Sequence, residues 1–200
     1  STLMKTDNEK DADSLFLANP YGIERQKVEQ VIFVDSVDTT QTNMWDVSAA
    51  QNETMMAWYE ETANGTYKVY IGSDIIMNAN KDSSYLFSYI GYDSNCAVTG
   101  DKADNQIIKN LDLLQTDLVT DMSYMFAYTG YSNMKTLDLG VNFNTQSVTN
   151  MEGMFSNCGH NSLEVLDLGP NFTNLTSNYQ NFITTGSSVN EEKVATAFFI

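Results

Sequence analysis

The stretches SYLFSYIGY (84–92) and SYMFAYTGY (123–131) are identical at six of nine positions. Each contains the pattern Phe-x-x-x-Gly, which occurs at Phe87/Gly91, Phe126/Gly130, Phe155/Gly159 and Phe182/Gly186, with the Phe residues 39, 29 and 27 positions apart. Self-similarity at such a period predicts a solenoid of stacked units. Solenoids present extended surfaces, so the pattern favours a binding or scaffold role over a buried catalytic centre.

Two further motifs complete the repeat unit. The motif Leu-Asp-Leu recurs at 111–113, 137–139 and 166–168 and predicts a short strand in each unit. The related stretches VTDMSYMF (119–126) and VTNMEGMF (148–155) follow, and the copy LTSNYQNF (175–182) is degenerate, as terminal repeats often are.

The second motif predicts a short helix. Met151, Met154 and Phe155 stand at i, i+3 and i+4, which is one face of a helix. Thr149 and Glu152 form a capping-box pattern, and Gly159 stands where a helix commonly ends in a left-handed residue. Each unit is therefore expected to contain a strand, a turn, a short helix and a turn, with the Met and Phe side chains in the core.

The region before the repeats has a different pattern. The stretch QVIFVDS (30–36) is typical of a strand, and MMAWYEE (55–61) and TYKVYIG (66–72) flank the hairpin signal Asn64-Gly65. We therefore expect a flexible N-terminal segment at 1–24, a β-rich cap at 25–75 and the repeat array at 76–200.

The chain is strongly acidic, with 26 Asp and Glu residues against 10 Lys and Arg residues and a net charge of −16. Such a field repels nucleic acids and anionic membranes and attracts cations or basic partners, or it serves only to keep the protein soluble. No apolar run is long enough for a transmembrane helix, so no membrane insertion is expected.

Cysteine and histidine are too few for a disulfide scaffold or a typical metal site. Cys96 and Cys158 could form one disulfide, or they could be two separate buried thiols. His160 has no Cys or His partner at metal-ligand spacing, and no cofactor is expected.

The stretch SVTNMEGMFSNCGHNSLEVLDLG (147–169) resembles the repeat of BspA-like bacterial leucine-rich-repeat surface proteins, also known as the mycoplasma-type lipoprotein repeat. Cys158 falls on the repeat's Cys position, and Thr129 replaces it one unit earlier. The upstream stretches VIFVDS, WDVSAA, MMAWYEE and YKVYIG are similar to the region that precedes the repeats in Gram-positive members, so the resemblance spans about residues 28–186. It implies a secreted or wall-attached protein at the cell surface, and some members act as adhesins.

The sequence and the resemblance together predict an α/β fold. It would be a leucine-rich-repeat-like solenoid of short strands and short helices, with about four units and an N-terminal β cap.

The middle residue of each Leu-Asp-Leu strand should point outward, which predicts a column formed by Asp112, Asp138 and Asp167. Neighbouring strands lie about 4.8 Å apart, so these carboxylates would repel one another unless a cation or a donor lies between them. The column is either a weak site for calcium or basic groups, or a solvated strip whose carboxylates bind nearby donors.

Tyrosines form the second candidate site. Tyr85, Tyr89 and Tyr92 match Tyr124, Tyr128 and Tyr131 in the next unit. They could form a recognition surface, because tyrosine offers a large contact area at a small entropic cost. Alternatively, they pack between units with their hydroxyls in water.

The polar insertion at 93–105 could be a binding loop or a neutral surface loop. No Walker, Rossmann or Gly-x-Ser-x-Gly pattern occurs, and the single histidine has no catalytic partner that a motif identifies. The sequence therefore predicts a non-catalytic recognition or adhesion module for an extracellular protein or glycan. The alternatives are a structural spacer and a carbohydrate-active solenoid enzyme, which would need two carboxylates about 5–10 Å apart beside aromatic side chains.

Overall fold

The computed structural model describes residues 1–173 and 183–184. The strands are β1 (Thr2–Leu3), β2 (Val28–Val34), β3 (Trp45–Asp46), β4 (Met56–Glu61), β5 (Tyr67–Gly72), β6 (Met77–Asn78), β7 (Ile108–Lys109), β8 (Leu114–Gln115), β9 (Thr136–Asp138), β10 (Phe155–Ser156), β11 (Val165–Asp167) and β12 (Ile183–Thr184). The described residues also form four short 3-10 helices, at Phe16–Ala18, Arg25–Lys27, Ala103–Asn105 and Leu111–Leu113. Residues 1–173 contain no α-helix.

The largest sheet has five strands in the order β3-β4-β5-β2-β7. β4 and β5 pair antiparallel around the turn at Asn64-Gly65, where Gly65 has a φ of 73°. This confirms the predicted hairpin. β2 lies parallel to both β5 and β7, and it contains the predicted strand segment from Gln30 to Val34.

The first residues of the chain are part of the folded body. β1 pairs parallel with β6, which pairs parallel with β8. Met4, Phe16 and Leu17 are fully buried. Residues 1–24, expected to be a flexible segment, are therefore packed against the first repeat unit; the division of the rest of the chain at residue 75 stays a prediction.

Arg25 and Asp7 tie this segment to the repeats. They form a buried ion pair, and the Asp7 carboxylate also accepts a hydrogen bond from the Leu17 amide at 2.7 Å. The Arg25 guanidinium donates to the carbonyl oxygens of Tyr85 (3.2 Å), Leu86 (3.3 Å) and Ser88 (2.8 Å). Burial raises the pKa of Asp7, while the charge of Arg25 and the Leu17 amide oppose this shift.

The repeats stack through three segments that we call the turn segments, residues 82–92, 121–131 and 150–160. Asp82, Asp121 and Asn150 are bridged in parallel at their starts. Within a segment the amides bond to carbonyls three residues back, as in Ser88 N to Tyr85 O at 3.0 Å. Other amides cross to the next segment, as in Phe87 N to Met125 O and Phe126 N to Met154 O.

The helices predicted at 119–126 and 148–155 are therefore wrong. Tyr85, Tyr89, Tyr124 and Tyr128 have left-handed backbones with φ between 55° and 63°, and an α-helix needs φ near −63° at every residue. In a series of consecutive i→i+3 turns, side chains three or four residues apart lie on the same face, nearly as they do in an α-helix. The predicted core positions, such as Met122, Met125 and Phe126, are consequently buried even though the helix is absent.

The Leu-Asp-Leu motifs behave in two ways. β9 and β11 pair parallel with Leu137 opposite Leu166, as predicted. The motif at Leu111–Leu113 is instead a 3-10 helix after Asn110, whose φ is 58°. The fold class predicted from the sequence, an α/β leucine-rich-repeat-like solenoid with short helices, is therefore wrong: the chain forms several small parallel and mixed sheets joined by turns.

The predicted burial of the repeated phenylalanines in the core is confirmed for three of the four copies, although no helix carries them. The rings of Phe87 and Phe126 stack with centroids 5.5 Å apart, and those of Phe126 and Phe155 stack at 5.3 Å. All three are fully buried within one continuous core. The fourth copy, Phe182, lies outside the described residues.

Candidate functional site

The repeated tyrosines come together on one surface, which we call the tyrosine face. Its rings form pairs between the first two turn segments, with centroid distances of 5.0 Å for Tyr85–Tyr124, 4.7 Å for Tyr89–Tyr128 and 4.8 Å for Tyr92–Tyr131, the last pair tilted by 42°. The first two pairs are parallel within 9° and 1°. All six side chains are half-buried, so they pack on one another and still reach solvent.

His160 extends this face into the third turn segment. Its ring stacks on Tyr131 at 4.4 Å and 9°, and its Nδ1 atom is buried without a hydrogen-bond partner. The sequence carried a signal for this contact, because His160 follows Tyr131 by 29 residues, the same interval that separates Phe126 from Phe155. The tyrosine face therefore consists of Tyr85, Tyr89, Tyr92, Tyr124, Tyr128, Tyr131 and His160.

The third turn segment lacks tyrosine at the two left-handed positions. Gly153 (φ 59°) and Asn157 (φ 54°) stand 29 residues after Tyr124 and Tyr128. The Tyr124 ring covers Gly153, where an added Cβ would lie 2.2 Å from Tyr124 Cε1. The same backbone thus accepts glycine, asparagine or tyrosine.

The pKa values of several hydroxyls of the face lie above the ordinary tyrosine value. Burial, followed by the neighbouring Tyr124, Glu152 and Asp121, raises the pKa of Tyr85. Burial and the charge of Glu152 raise the pKa of Tyr124, whose hydroxyl donates to Glu152 Oε1 at 3.3 Å. A tyrosine hydroxyl is protonated at neutral pH even without these shifts, so both groups can donate hydrogen bonds.

The predicted aspartate column is only partly formed. Asp138 and Asp167 are register partners on β9 and β11, and both are exposed. Each carboxylate accepts a hydrogen bond from the amide two residues later, at Gly140 (2.8 Å) and Gly169 (3.0 Å). Asp112 does not continue the column: a Cβ on Gly140 would lie 3.5 Å from the Asp112 Cβ, so Asp112 stands beside Gly140 and not beside Asp138.

This geometry agrees with the solvated alternative for Asp138 and Asp167, whose carboxylates are bound by local amides. Among residues 1–173, no group of three or more His, Cys, Asp or Glu side chains is placed to hold a metal ion.

The insertion at 93–105 is fixed to the edge of the β9–β11 sheet. The carbonyl of Thr99 accepts hydrogen bonds from Lys135 N (2.7 Å) and Thr136 N (3.3 Å). Gly100 packs so tightly on this strand that a Cβ there would lie 1.8 Å from Thr136 O. Part of the insertion therefore replaces a strand partner and is unavailable for binding.

The two cysteines are free and buried. This answers the alternative left open by the sequence in favour of separate thiols. Burial raises the pKa of Cys96 to about 12 and also raises the pKa of Cys158, so neither thiol is reactive at neutral pH.

One cleft of about 350 Å³ places Asp38 and Glu60 beside the stacked rings of Trp58 and Tyr70. Hydrogen bonds from Gln41 and Thr40 lower the pKa of Asp38. Trp58 is only 5% exposed, so its ring offers no open platform for a sugar.

The chain was compared with protein-family models, with curated proteins and with solved structures. Residues 97–193 match the family described as "Mycoplasma protein of unknown function, DUF285". Neither the curated proteins nor the solved structures contain a match to the chain. In the described part of the chain, no helix has the length and apolar character needed to cross a bilayer.

Proposed function

We propose that this chain is a non-catalytic recognition module, secreted or attached at the cell surface, that binds an extracellular protein through the tyrosine face. One observation carries the proposal. Tyr85, Tyr89, Tyr124 and Tyr128 occupy left-handed backbone positions, which cost a non-glycine residue about 1–2 kcal/mol each. The equivalent positions of the third turn segment hold Gly153 and Asn157, so the segments can stack without tyrosine at these positions. The tyrosine rings therefore have a role other than stacking the units.

A protein partner fits this face better than a glycan. The rings stack on one another along the direction in which the units follow each other, so most ring faces are already covered. What remains outward is ring edges and hydroxyls. Apolar edges bearing donors suit a protein surface, because tyrosine combines contact area with hydrogen bonding at a small entropic cost.

The surface location is supported by two likenesses. The repeat resembles that of BspA-like bacterial surface proteins, and residues 97–193 match a family described from Mycoplasma. The net charge of −16 favours basic or neutral partners over nucleic acids.

The test is capture on arrays of extracellular proteins and of glycans, with the variant Tyr128→Ser/Tyr131→Ser. Protein capture should weaken by about a hundredfold, since two central tyrosines commonly contribute about 1–2 kcal/mol each. Tyr21→Ser is the matched control, because Tyr21 is an exposed tyrosine that contacts Trp45 edge-on and Tyr59 at a tilt and lies outside the tyrosine face.

Circular dichroism and a melting curve establish that both variants keep the fold. Unchanged protein capture by the double variant would refute the proposal and favour a spacer. Capture of glycans alone would refute the choice of partner.

A further inference from the structure

A second surface, formed by residues other than those of the tyrosine face, combines exposed aliphatic side chains with carboxylates. Two adjoining depressions of about 460 Å³ and 310 Å³ share Asp35, Asp112 and Leu113, so they form one groove. The larger depression adds Asp74, Ile75 and Ile76. We call these six residues the isoleucine groove.

The aliphatic side chains of the groove are unusually exposed for residues on a fixed backbone. Ile75 is 46% and Ile76 is 64% exposed, and Leu113 is half-buried beside them. Their backbone is held on both sides: Ile75 N donates to Ser73 Oγ at 3.2 Å, and Ile76 O accepts from Thr2 N at 2.8 Å. An apolar surface that is both exposed and fixed is a common mark of an interaction site.

The charges around these side chains select the partner. Asp35, Asp74 and Asp112 are exposed, and no Lys or Arg is among the described residues that line either depression. Asp74 is fixed by accepting a hydrogen bond from Val37 N at 3.0 Å. A second copy of the chain, with its net charge of −16, would be repelled here, whereas a cationic segment would be attracted.

We propose that the isoleucine groove binds a basic segment of a partner protein in which lysine or arginine alternates with aliphatic residues. The aliphatic side chains cover Ile75, Ile76 and Leu113, and the cationic groups pair with Asp35, Asp74 and Asp112. This site is independent of the tyrosine face, and it gives Asp112 a role outside the aspartate column.

The probe is a fluorescein-labelled peptide of about twelve residues that alternates lysine and leucine, a length of segment that matches a small interface. Fluorescence anisotropy should show binding that weakens by about tenfold in Asp35→Asn/Asp112→Asn and in Ile76→Ser. Raising NaCl from about 0.05 M to about 0.5 M should weaken wild-type binding, and the same peptide with glutamate in place of lysine should not bind.

The matched controls change the same properties elsewhere. Asp13→Asn/Glu164→Gln removes two exposed carboxylates, and Val165→Ser removes an aliphatic side chain that is 46% exposed. Both should bind the peptide as the wild type does, and so should Tyr128→Ser/Tyr131→Ser, which separates this test from that of the tyrosine face.

Equal weakening in the control and groove variants would overturn the proposal, because attraction would then be non-specific. Absence of peptide binding would also overturn it. If sedimentation velocity shows a dimer that Ile76→Ser abolishes, the occupant is a second copy and not a basic segment.

Discussion

At the scale of single residues, the burial of side chains in the turn segments could be predicted from the sequence, whereas the backbone conformation could not. The burial of Met122, Met125 and Phe126 was predictable because apolar spacing follows the core whatever the local structure. The left-handed tyrosines were not predictable, since tyrosine has no preference for positive φ. A usable signal was present in Asp82, Asp121 and Asn150, whose side-chain oxygens accept hydrogen bonds from the amides two residues later, as such residues often do in turns.

Gly153 and Gly65 provide a residue-scale test of this packing. Both have positive φ, but a Cβ on Gly65 would meet nothing within 4 Å, whereas one on Gly153 would strike the Tyr124 ring. Gly65→Ala should therefore lower the free energy of unfolding by about 1 kcal/mol. Gly153→Ala should lower it by about 2–4 kcal/mol, because the ring must also move.

Urea unfolding followed by fluorescence measures both losses. Equal losses for the two variants would show that the Tyr124 ring does not rest on Gly153.

At the scale of elements, the N-terminal segment is the largest departure from expectation. Its alternating charged residues are typical of a frayed end, yet Asp7 is buried with Arg25. A preceding repeat unit would supply amides to the carbonyls of Leu86 and Ser88, as the first turn segment does for Met125 and Ala127. Arg25 substitutes for those amides. Because this contact joins residues that are far apart in the sequence, no local sequence pattern predicts it.

Arg25→Met should lower the free energy of unfolding by about 3–5 kcal/mol at pH 7, because it leaves the Asp7 carboxylate buried and unpaired. Burial already raises the pKa of Asp7, and loss of Arg25 raises it further. The folded state then binds the Asp7 proton more tightly than the unfolded state does. The stability of the variant relative to wild type should consequently recover as the pH falls from 7 toward about 4.

The control is Asp7→Asn/Arg25→Met, which lacks the titrating group. Its stability relative to wild type should not show this recovery in denaturant titrations at each pH. A difference between Arg25→Met and wild type that grows on acidification would contradict the assigned pairing.

At the scale of the whole molecule, the repeats and the hairpin could be predicted from the sequence, whereas the class of fold and the state of the two cysteines could not. Regular repeats of apolar residues predict stacking, and stacking is present. Whether each unit uses a helix or a chain of turns depends on φ at residues such as Tyr124, where packing between units outweighs local preference. The tyrosine face could be predicted as a surface, whereas the isoleucine groove could not, because Asp35, Asp74 and Asp112 are far apart in sequence.

The net charge of −16 gives a prediction for the entire chain. Only three ion pairs are formed within residues 1–173, so repulsion among carboxylates outweighs attraction. Raising NaCl from about 0.02 M to about 0.5 M should raise the melting temperature by about 2–5 °C. The variant Asp13→Asn/Glu164→Gln changes the net charge from −16 to −14, so NaCl should raise its melting temperature by less than that of the wild type.

Differential scanning calorimetry measures both increases. A melting temperature that falls with NaCl would mean that the few ion pairs dominate the electrostatics.

The direction of the amides in the turn segments has an electrical consequence. In the first two segments the amides of Ser83, Tyr85, Phe87 and Tyr89, and then those of Met122, Tyr124, Phe126 and Tyr128, all donate toward the following unit. Their peptide dipoles therefore add along this side of the stack, as they do along an α-helix. The negative end carries the guanidinium of Arg25, as a helix C-terminus favours a cation. Each added unit with the same hydrogen-bond direction would lengthen this dipole.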